Sequence, residues 1–145
     1  MLRTYFKALQ PGLDLWKKSW SAVPLEWTAT LRARLTRRFQ EAADMQYQAA
    51  LLFEAIDPPP RVASVHRKLV QAMRLSSADW AMDAEDARGG VSFEQFRTVV
   101  RNGYYVDRVS KRLADWQFRV RSEALRLKVQ IPFKRSPIFS YSYVP

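Results

Sequence analysis

The hydrophobic residues of this chain recur at steps of three and four over most of its length, which is the spacing of one face of an α-helix. The run within 25–57 consists of Trp27, Leu31, Leu35, Phe39, Ala42, Met45, Ala49, Leu52 and Ile56. The run within 106–130 consists of Val106, Val109, Leu113, Trp116, Val120 and Leu127. Such long patterns are typical of packed or coiled-coil helices. We predict an elongated all-α fold in which these two long helices form an antiparallel pair, with shorter helices between them and extended termini.

Proline, glycine and serine mark the predicted ends of the other elements. Pro11–Gly12 separates two short helices within 1–24, and Asp57–Pro60 ends the first long helix. Within 61–90, Val62 to Met73 predicts a third helix, and Ser76–Ser77 can cap a short fourth helix that is followed by an acidic loop, 83–90. For residues 91–130 we predict a helix, a turn and the second long helix, and for 131–145 an extended tail. All of these elements belong to one predicted helical domain, 1–145.

The segment from Val91 to Asp107 carries the most specific local signals. Ser92 and Gln95 form a capping-box pattern, in which each side chain bonds a backbone N–H near the other. Val91 and Phe96 have the spacing of a hydrophobic staple at the start of a helix. Asn102–Gly103 can end that helix before the second one begins near Val106. We interpret this helix–turn–helix segment as a docking element.

The same residues resemble subunit d of the mitochondrial F-type ATP synthase, a protein of the peripheral stalk. The positions in register are Val91, Phe93, Phe96, Arg97, Val99, Val106 and Asp107. Ser92 and Phe96 stand where that family tends to have Asp and Tyr. The family also has a Pro-Phe step after its long helical region, and Pro132–Phe133 is similar to it, although Lys134 and Arg135 replace the acidic residues that usually follow.

The resemblance implies a non-catalytic subunit that braces the stator against rotor torque during proton-driven ATP synthesis, on the matrix side of the mitochondrial inner membrane. The implied partners are subunit b, the oligomycin-sensitivity-conferring subunit and neighbouring membrane-region subunits. It implies no cofactor, no metal, no active site and no bound nucleic acid. The predicted protein-interface residues are Val91, Phe93, Phe96, Arg97, Val99, Val106, Asp107, Leu113, Trp116, Val120, Pro132 and Phe133.

Composition restricts the classes of function that this chain can have. The chain has 145 residues, no cysteine and a formal net charge of +10, so thiolate chemistry is excluded and an anionic partner or environment is expected. Apolar content of 48% argues against disorder. No apolar run reaches the ~20 residues that a membrane-spanning helix needs. The residues from Met1 to Lys7 resemble a short mitochondrial import signal, which we expect to be retained.

Two candidate chemical sites are weak. Asp83, Glu85 and Glu94 occupy positions one, three and twelve of a possible calcium loop, but glycine is not at the sixth position, so an ordinary solvated turn is the better interpretation. His66 is the chain's one histidine, and its basic neighbours Arg67 and Lys68 indicate a surface position.

Other functions remain open. The basic runs 32–38 and 97–135 could hold RNA phosphates, and interleaved aromatic residues such as Tyr104, Tyr105, Trp116 and Phe118 could stack on bases. A mitochondrial ribosomal protein that binds rRNA is therefore the main alternative. An accessory subunit of another respiratory complex and a calcium-responsive adaptor are the others.

Overall fold

A computed structural model describes residues 1–22, 32–89 and 106–133, and these residues are almost entirely helical. Helix α1 spans Leu2–Ala22, α2 spans Arg32–Glu54, α3 spans Ala63–Gly89 and α4 spans Lys111–Arg126. A short 3₁₀ turn, Pro60–Val62, precedes α3, and a π-helical turn, Val106–Ser110, precedes α4. The predicted all-α class is confirmed. In this part of the chain, no helix combines the length and the apolar character needed to cross a membrane.

Helix α1 runs without a break through Pro11, so the prediction of two short helices was wrong. Its buried hydrophobic residues are Leu2, Tyr5, Phe6, Leu9, Leu13 and Trp16. They form one continuous stripe, because the two short patterns on either side of Pro11 are in the same helical register. Packing of this stripe outweighs the hydrogen bond that a proline removes from a helix. Gly12 follows, where an added Cβ would lie 2.5 Å from Cε1 of Phe53.

Helix α2 ends at Glu54, shortly before the three prolines that were predicted to end it. Proline cannot donate to the helical ladder, and consecutive prolines hold the chain extended. Pro60 then occupies the first position of the 3₁₀ turn, which leads directly into α3. This short connection lets α3 fold back along α2.

Helix α3 is also longer than predicted, because Ser76, Ser77 and the acidic segment 83–89 are all helical. The two serines do not cap a new helix. The Ser77 hydroxyl donates to the carbonyl of Ala43 at 2.7 Å, and the Ser76 hydroxyl donates to Oε1 of Gln46. Both serines are buried, and their small side chains allow α3 to approach α2. The predicted break between a third and a fourth helix was therefore wrong.

The core consists of two clusters along the α2–α3 pair. The first joins α1, the C-terminal half of α2, the N-terminal half of α3 and α4. The second lies between Leu35 and Phe39 of α2 and Trp80 and Ala84 of α3. Early α2 therefore meets late α3, as in an antiparallel hairpin. The predicted pairing of the 25–57 helix with the 106–130 helix is not confirmed, because α2 packs on α1 and α3, and α4 packs on α3.

Helix α4 stops at Arg126, earlier than the predicted Gln130. Lys128 adopts a left-handed conformation with φ of 53°. Its N–H donates to the carbonyl of Leu125, and the N–H of Val129 donates to the carbonyl of Ala124, which is the Schellman pattern of a helix end. The chain then turns back, and the rings of Phe133 and Phe6 meet edge to face at 5.6 Å.

Candidate interaction surface

The inner face of α4 lies in the core of the chain. Three predicted interface residues, Leu113, Trp116 and Val120, are buried there together with Val109 and Ala124. They contact the same large cluster that contains α1 and α3. Their side chains are thus used within the chain and are not available to a partner protein.

A chain of hydrogen bonds lies behind this inner face. The indole Nε1–H of Trp116 donates to Oη of Tyr5 at 2.9 Å, and Oη of Tyr5 lies 2.8 Å from Nδ1 of His66. Nε2 of His66 lies 2.8 Å from the carbonyl oxygen of Phe53. Because that carbonyl can only accept, Nε2 carries the proton, and the Tyr5 hydroxyl then donates to Nδ1. One neutral imidazole therefore satisfies every partner and joins α1, α2, α3 and α4.

The prediction that His66 lies on the surface was wrong, since it is only 4% exposed. Burial lowers the pKa of His66, while its hydrogen bond to Phe53 partly opposes this shift. Burial also raises the pKa of the Tyr5 phenol, and the bond from Trp116 partly opposes that shift. Both groups are therefore held neutral near pH 7, in keeping with the hydrogen-bond directions. The sequence signal for this burial was helical spacing, because His66 falls on the same face as Val62, Leu69 and Met73.

The outer face of α4 carries two large apolar side chains in water. Phe118 is 76% exposed and Leu125 is 82% exposed. They are seven residues apart, so they point to the same side of the helix about 10.5 Å from each other. With Lys111, Ala114 and Arg121, which are also exposed, they form a row with steps of three, four, three and four. We call these five residues the outer seam.

The charge beside the outer seam is positive. Lys111 and Arg121 belong to the seam, and Lys128 is exposed just beyond the end of the helix. The two acidic residues of α4 are Asp115 and Glu123, and both are engaged by cations of this chain. Oδ2 of Asp115 lies 2.5 Å from Nζ of Lys68, which joins α4 to α3.

Glu123 is the centre of an ion cluster at one end of the bundle. Its carboxylate lies 2.9 Å from Nη2 of Arg126 and 3.5 Å from Nη1 of Arg61. The hydrogen bond from Arg126 and the two positive charges lower the pKa of Glu123 against the opposing effect of desolvation. The cluster borders a cleft of about 290 Å³ whose other walls are mainly apolar, including Leu2 and Leu127. The ion cluster fixes the end of α4 to the turn that precedes α3.

The acidic C-terminal half of α3 cannot form the calcium loop considered above, because residues 83–89 are helical. Asp79, Asp83 and Asp86 lie on one side of this helix. Burial together with the negative charges of Asp86 and Asp79 raises the pKa of Asp83 to about 7. Within 1–22, 32–89 and 106–133, no cluster of three or more side chains suited to metal ligation is present.

The remaining predicted interface residues have different locations. Val91, Phe93, Phe96, Arg97 and Val99 lie outside the described residues. The backbone of Val106 and Asp107 forms the start of the π-helical turn before α4. Pro132 is exposed, whereas Phe133 is buried against Phe6. Phe133 is therefore part of the core of this chain.

Sequence reasoning missed the outer seam as a unit. Phe118 was considered only as a base-stacking residue, and Leu125 was not singled out. The available signal was their separation of seven residues, on the side of α4 opposite the dominant hydrophobic stripe.

Comparison with models of protein families gives no match, and comparisons with curated proteins and with solved structures give none either.

Proposed function

We propose that this chain is a non-catalytic structural subunit of a larger protein assembly, and that this assembly is the peripheral stalk of the mitochondrial ATP synthase. The carrying observation is the outer seam, where Phe118 and Leu125 remain in water on a helix whose opposite face is fully packed. Exposed apolar side chains that line up on one helix face are typical of protein contact surfaces. The resemblance of residues 91–107 and 131–133 to subunit d supports the choice of assembly.

In this proposal the helices act as one stiff block. Stator function requires a part that transmits force without bending, and buried hydrogen bonds between helices favour a single rigid arrangement. The Tyr5–His66 chain is one such link. A second link joins Ser19, Gln46 and Ser76 of α1, α2 and α3, with Nε2 of Gln46 donating to Oγ of Ser19 at 3.0 Å. Both links lie inside the bundle and leave its surface to partners.

The proposed contacts are the segment Val91–Asp107, which carries the resemblance, and the outer seam of α4. The proposed partners are subunit b, the oligomycin-sensitivity-conferring subunit and neighbouring membrane-region subunits, on the matrix side of the inner membrane. The net charge of +10 supports contact with acidic protein surfaces. No step of ATP chemistry is assigned to this chain.

The test is to purify the tagged full-length chain from its source cells in mild detergent, separate the complexes on a native gel and identify the proteins that migrate with it by mass spectrometry. We expect co-migration with ATP synthase subunits and loss of co-migration when the stalk is dissociated. Migration with a different respiratory complex would contradict the choice of assembly.

The rRNA alternative predicts a different result in the same experiment. The cations beside Phe118 are its structural support, because basic and aromatic side chains together bind single-stranded nucleic acid. Under that alternative the chain migrates with ribosomal particles, and nuclease or high salt releases it. Under the stalk proposal, nuclease leaves its migration unchanged.

A further inference from the structure

We propose that the outer seam of α4 binds a single acidic amphipathic helix of a partner protein in a coiled-coil manner. The inference rests on the proposed role as a subunit of an assembly, and it adds the chemistry and the geometry of the partner. The observation behind it is that five exposed residues of α4 repeat the three-and-four spacing of the buried inner face. These residues are Lys111, Ala114, Phe118, Arg121 and Leu125.

The geometry of the seam favours a helix as the occupant. Residues spaced by three and four along a helix form a narrow line, into which the side chains of a second helix can interdigitate. From Lys111 to Leu125 the seam advances by 14 positions along the helix, or about 21 Å, which corresponds to two heptads. The small side chain of Ala114 lets the partner backbone approach at one end. The hydroxyl of Ser122, beside the seam, donates to the carbonyl of Phe118 at 2.9 Å and is thus satisfied within α4.

The charge of the seam selects an acidic partner. Lys111 and Arg121 lie on the seam, Lys128 is exposed just beyond it, and both acidic residues of α4 pair with cations outside the seam. Asp115 pairs with Lys68, and Glu123 is only 6% exposed between Arg61 and Arg126. Charges that flank a helix–helix seam determine which partner pairs with it. Glutamate or aspartate beside an apolar stripe therefore complements this surface, whereas a basic helix is repelled.

An anionic membrane fits the seam less well. Helices that lie in a membrane interface insert a broad apolar face. On α4 only Phe118 and Leu125 are available for insertion, because Val109, Leu113, Trp116, Val120 and Ala124 are inside the protein. Two side chains in a narrow line match the contact made by one helix.

The first experiment identifies the occupant directly. Phe118 of the full-length chain is replaced by the photo-crosslinker p-benzoylphenylalanine in the source cells, and the crosslinked segment is mapped by mass spectrometry. We expect crosslinks to a partner segment with heptad-spaced apolar residues and flanking acids. Crosslinks mainly to lipid, to RNA, to a second copy of this chain or to its own residues 134–145 would overturn the proposal, as would the absence of any crosslink. The same crosslinker at Met82, which is 62% exposed on α3, is the control site.

The second experiment measures what the seam contributes. The double substitution Phe118→Ser and Leu125→Ser is expected to lower recovery of the crosslink-identified partner at least about tenfold, as for central residues of an interface. Met82→Ser removes a comparable exposed side chain elsewhere and should leave recovery unchanged. All three positions are exposed, so circular dichroism and the melting temperature should match the unsubstituted chain. Equal recovery of both variants would overturn the proposal.

Charge reversal tests the acidic character of the partner. Lys111→Glu with Arg121→Glu should reduce recovery about tenfold, and the effect should shrink as salt rises from about 0.1 M to about 0.5 M because exposed charges are then screened. Lys7→Glu with Lys18→Glu makes the same change on exposed positions of α1 and should have little effect. Unchanged recovery after reversal on α4 would overturn the acidic assignment.

These outcomes are separate from those of the native-gel test. Co-migration with ATP synthase without an acidic helix crosslinked to position 118 would leave the proposed function in place and remove this inference. A crosslink to an acidic helix of another complex would support this inference and contradict the proposed assembly.

Discussion

The two faces of α4 have the same spacing of side chains and opposite exposure to water. Each has a row of side chains at steps of three and four with a large aromatic residue near its middle, but Lys111 and Arg121 occupy two of the five outer positions. On the inner face Trp116 is fully buried and hydrogen-bonded, whereas on the outer face Phe118 is 76% exposed. The difference shows that the spacing of residues along one helix does not by itself decide which of its faces is buried within the chain.

The largest expected effect is on stability, when one aromatic residue from each face of α4 is replaced by alanine. Trp116→Ala should lower the free energy of unfolding by about 3–5 kcal/mol, because it leaves a cavity in the core and removes the donor to Tyr5. Phe118→Ala should change it by less than about 0.5 kcal/mol, as is usual for exposed positions. Urea unfolding followed by circular dichroism measures both values. Similar losses for the two variants would mean that the outer seam is also part of the core.

A smaller effect tests the polar layer behind the inner face. Tyr5→Phe keeps the ring and removes the hydroxyl, so that the buried Nε1–H of Trp116 and Nδ1 of His66 lose their partner. The expected loss is about 1–3 kcal/mol, the usual cost of unsatisfied buried groups. Tyr47→Phe is the matched control, because Tyr47 is 46% exposed. Equal stability of both variants would show that the hydroxyl contributes nothing to this layer.

The pH dependence of stability sharpens the same comparison. Burial lowers the pKa of His66 in the folded chain, whereas in the unfolded chain it titrates near its ordinary value of about 6.5. As pH falls below that value, the unfolded state takes up a proton that the folded state does not, so His66 makes the fold less stable toward acid. Above about pH 7 its contribution is constant.

Asp83 has the opposite effect in that range, because its raised pKa of about 7 lets the folded state bind a proton before the unfolded state does. The useful measurement is therefore the difference between the unsubstituted chain and His66→Gln, in which the contribution of Asp83 cancels. We expect the unsubstituted chain to lose more stability between pH 7 and the lowered pKa of His66. Parallel stability curves would refute the assignment of a neutral His66.

The smallest expected effect lies at the end of α4. Lys128 has φ of 53°, a conformation that glycine adopts without a Cβ clash. Lys128→Gly should raise the free energy of unfolding by about 0.5 kcal/mol, since the relief of strain exceeds the added freedom of the unfolded chain. Lys128→Ala keeps the Cβ and should give no such gain. A gain of equal size in both variants would assign the effect to the lysine side chain instead of the backbone.

Proline and serine show how local signals competed with packing. Pro11 was predicted to end a helix, and it does not, because the stripe from Leu2 to Trp16 remains in register through it. Pro58 to Pro60 were predicted to end a helix, and no helix continues through them, since three successive residues cannot be absorbed. Ser76 and Ser77 are residues of the type that caps helices, yet they lie inside α3 and donate hydrogen bonds to α2. The outcome depended on the neighbouring helix, which the local sequence does not contain.

The amino-acid sequence by itself determined the helical class, the end of α2 and the inner stripe of α4, because each depends on residues close together in the chain. Only the tertiary structure decided that His66 is buried, that α1 and α3 are continuous, and that the seam with Phe118 and Leu125 faces water. Those properties arise from contacts between helices far apart in sequence: Tyr5, His66 and Trp116 satisfy one another only after α1, α3 and α4 have packed together.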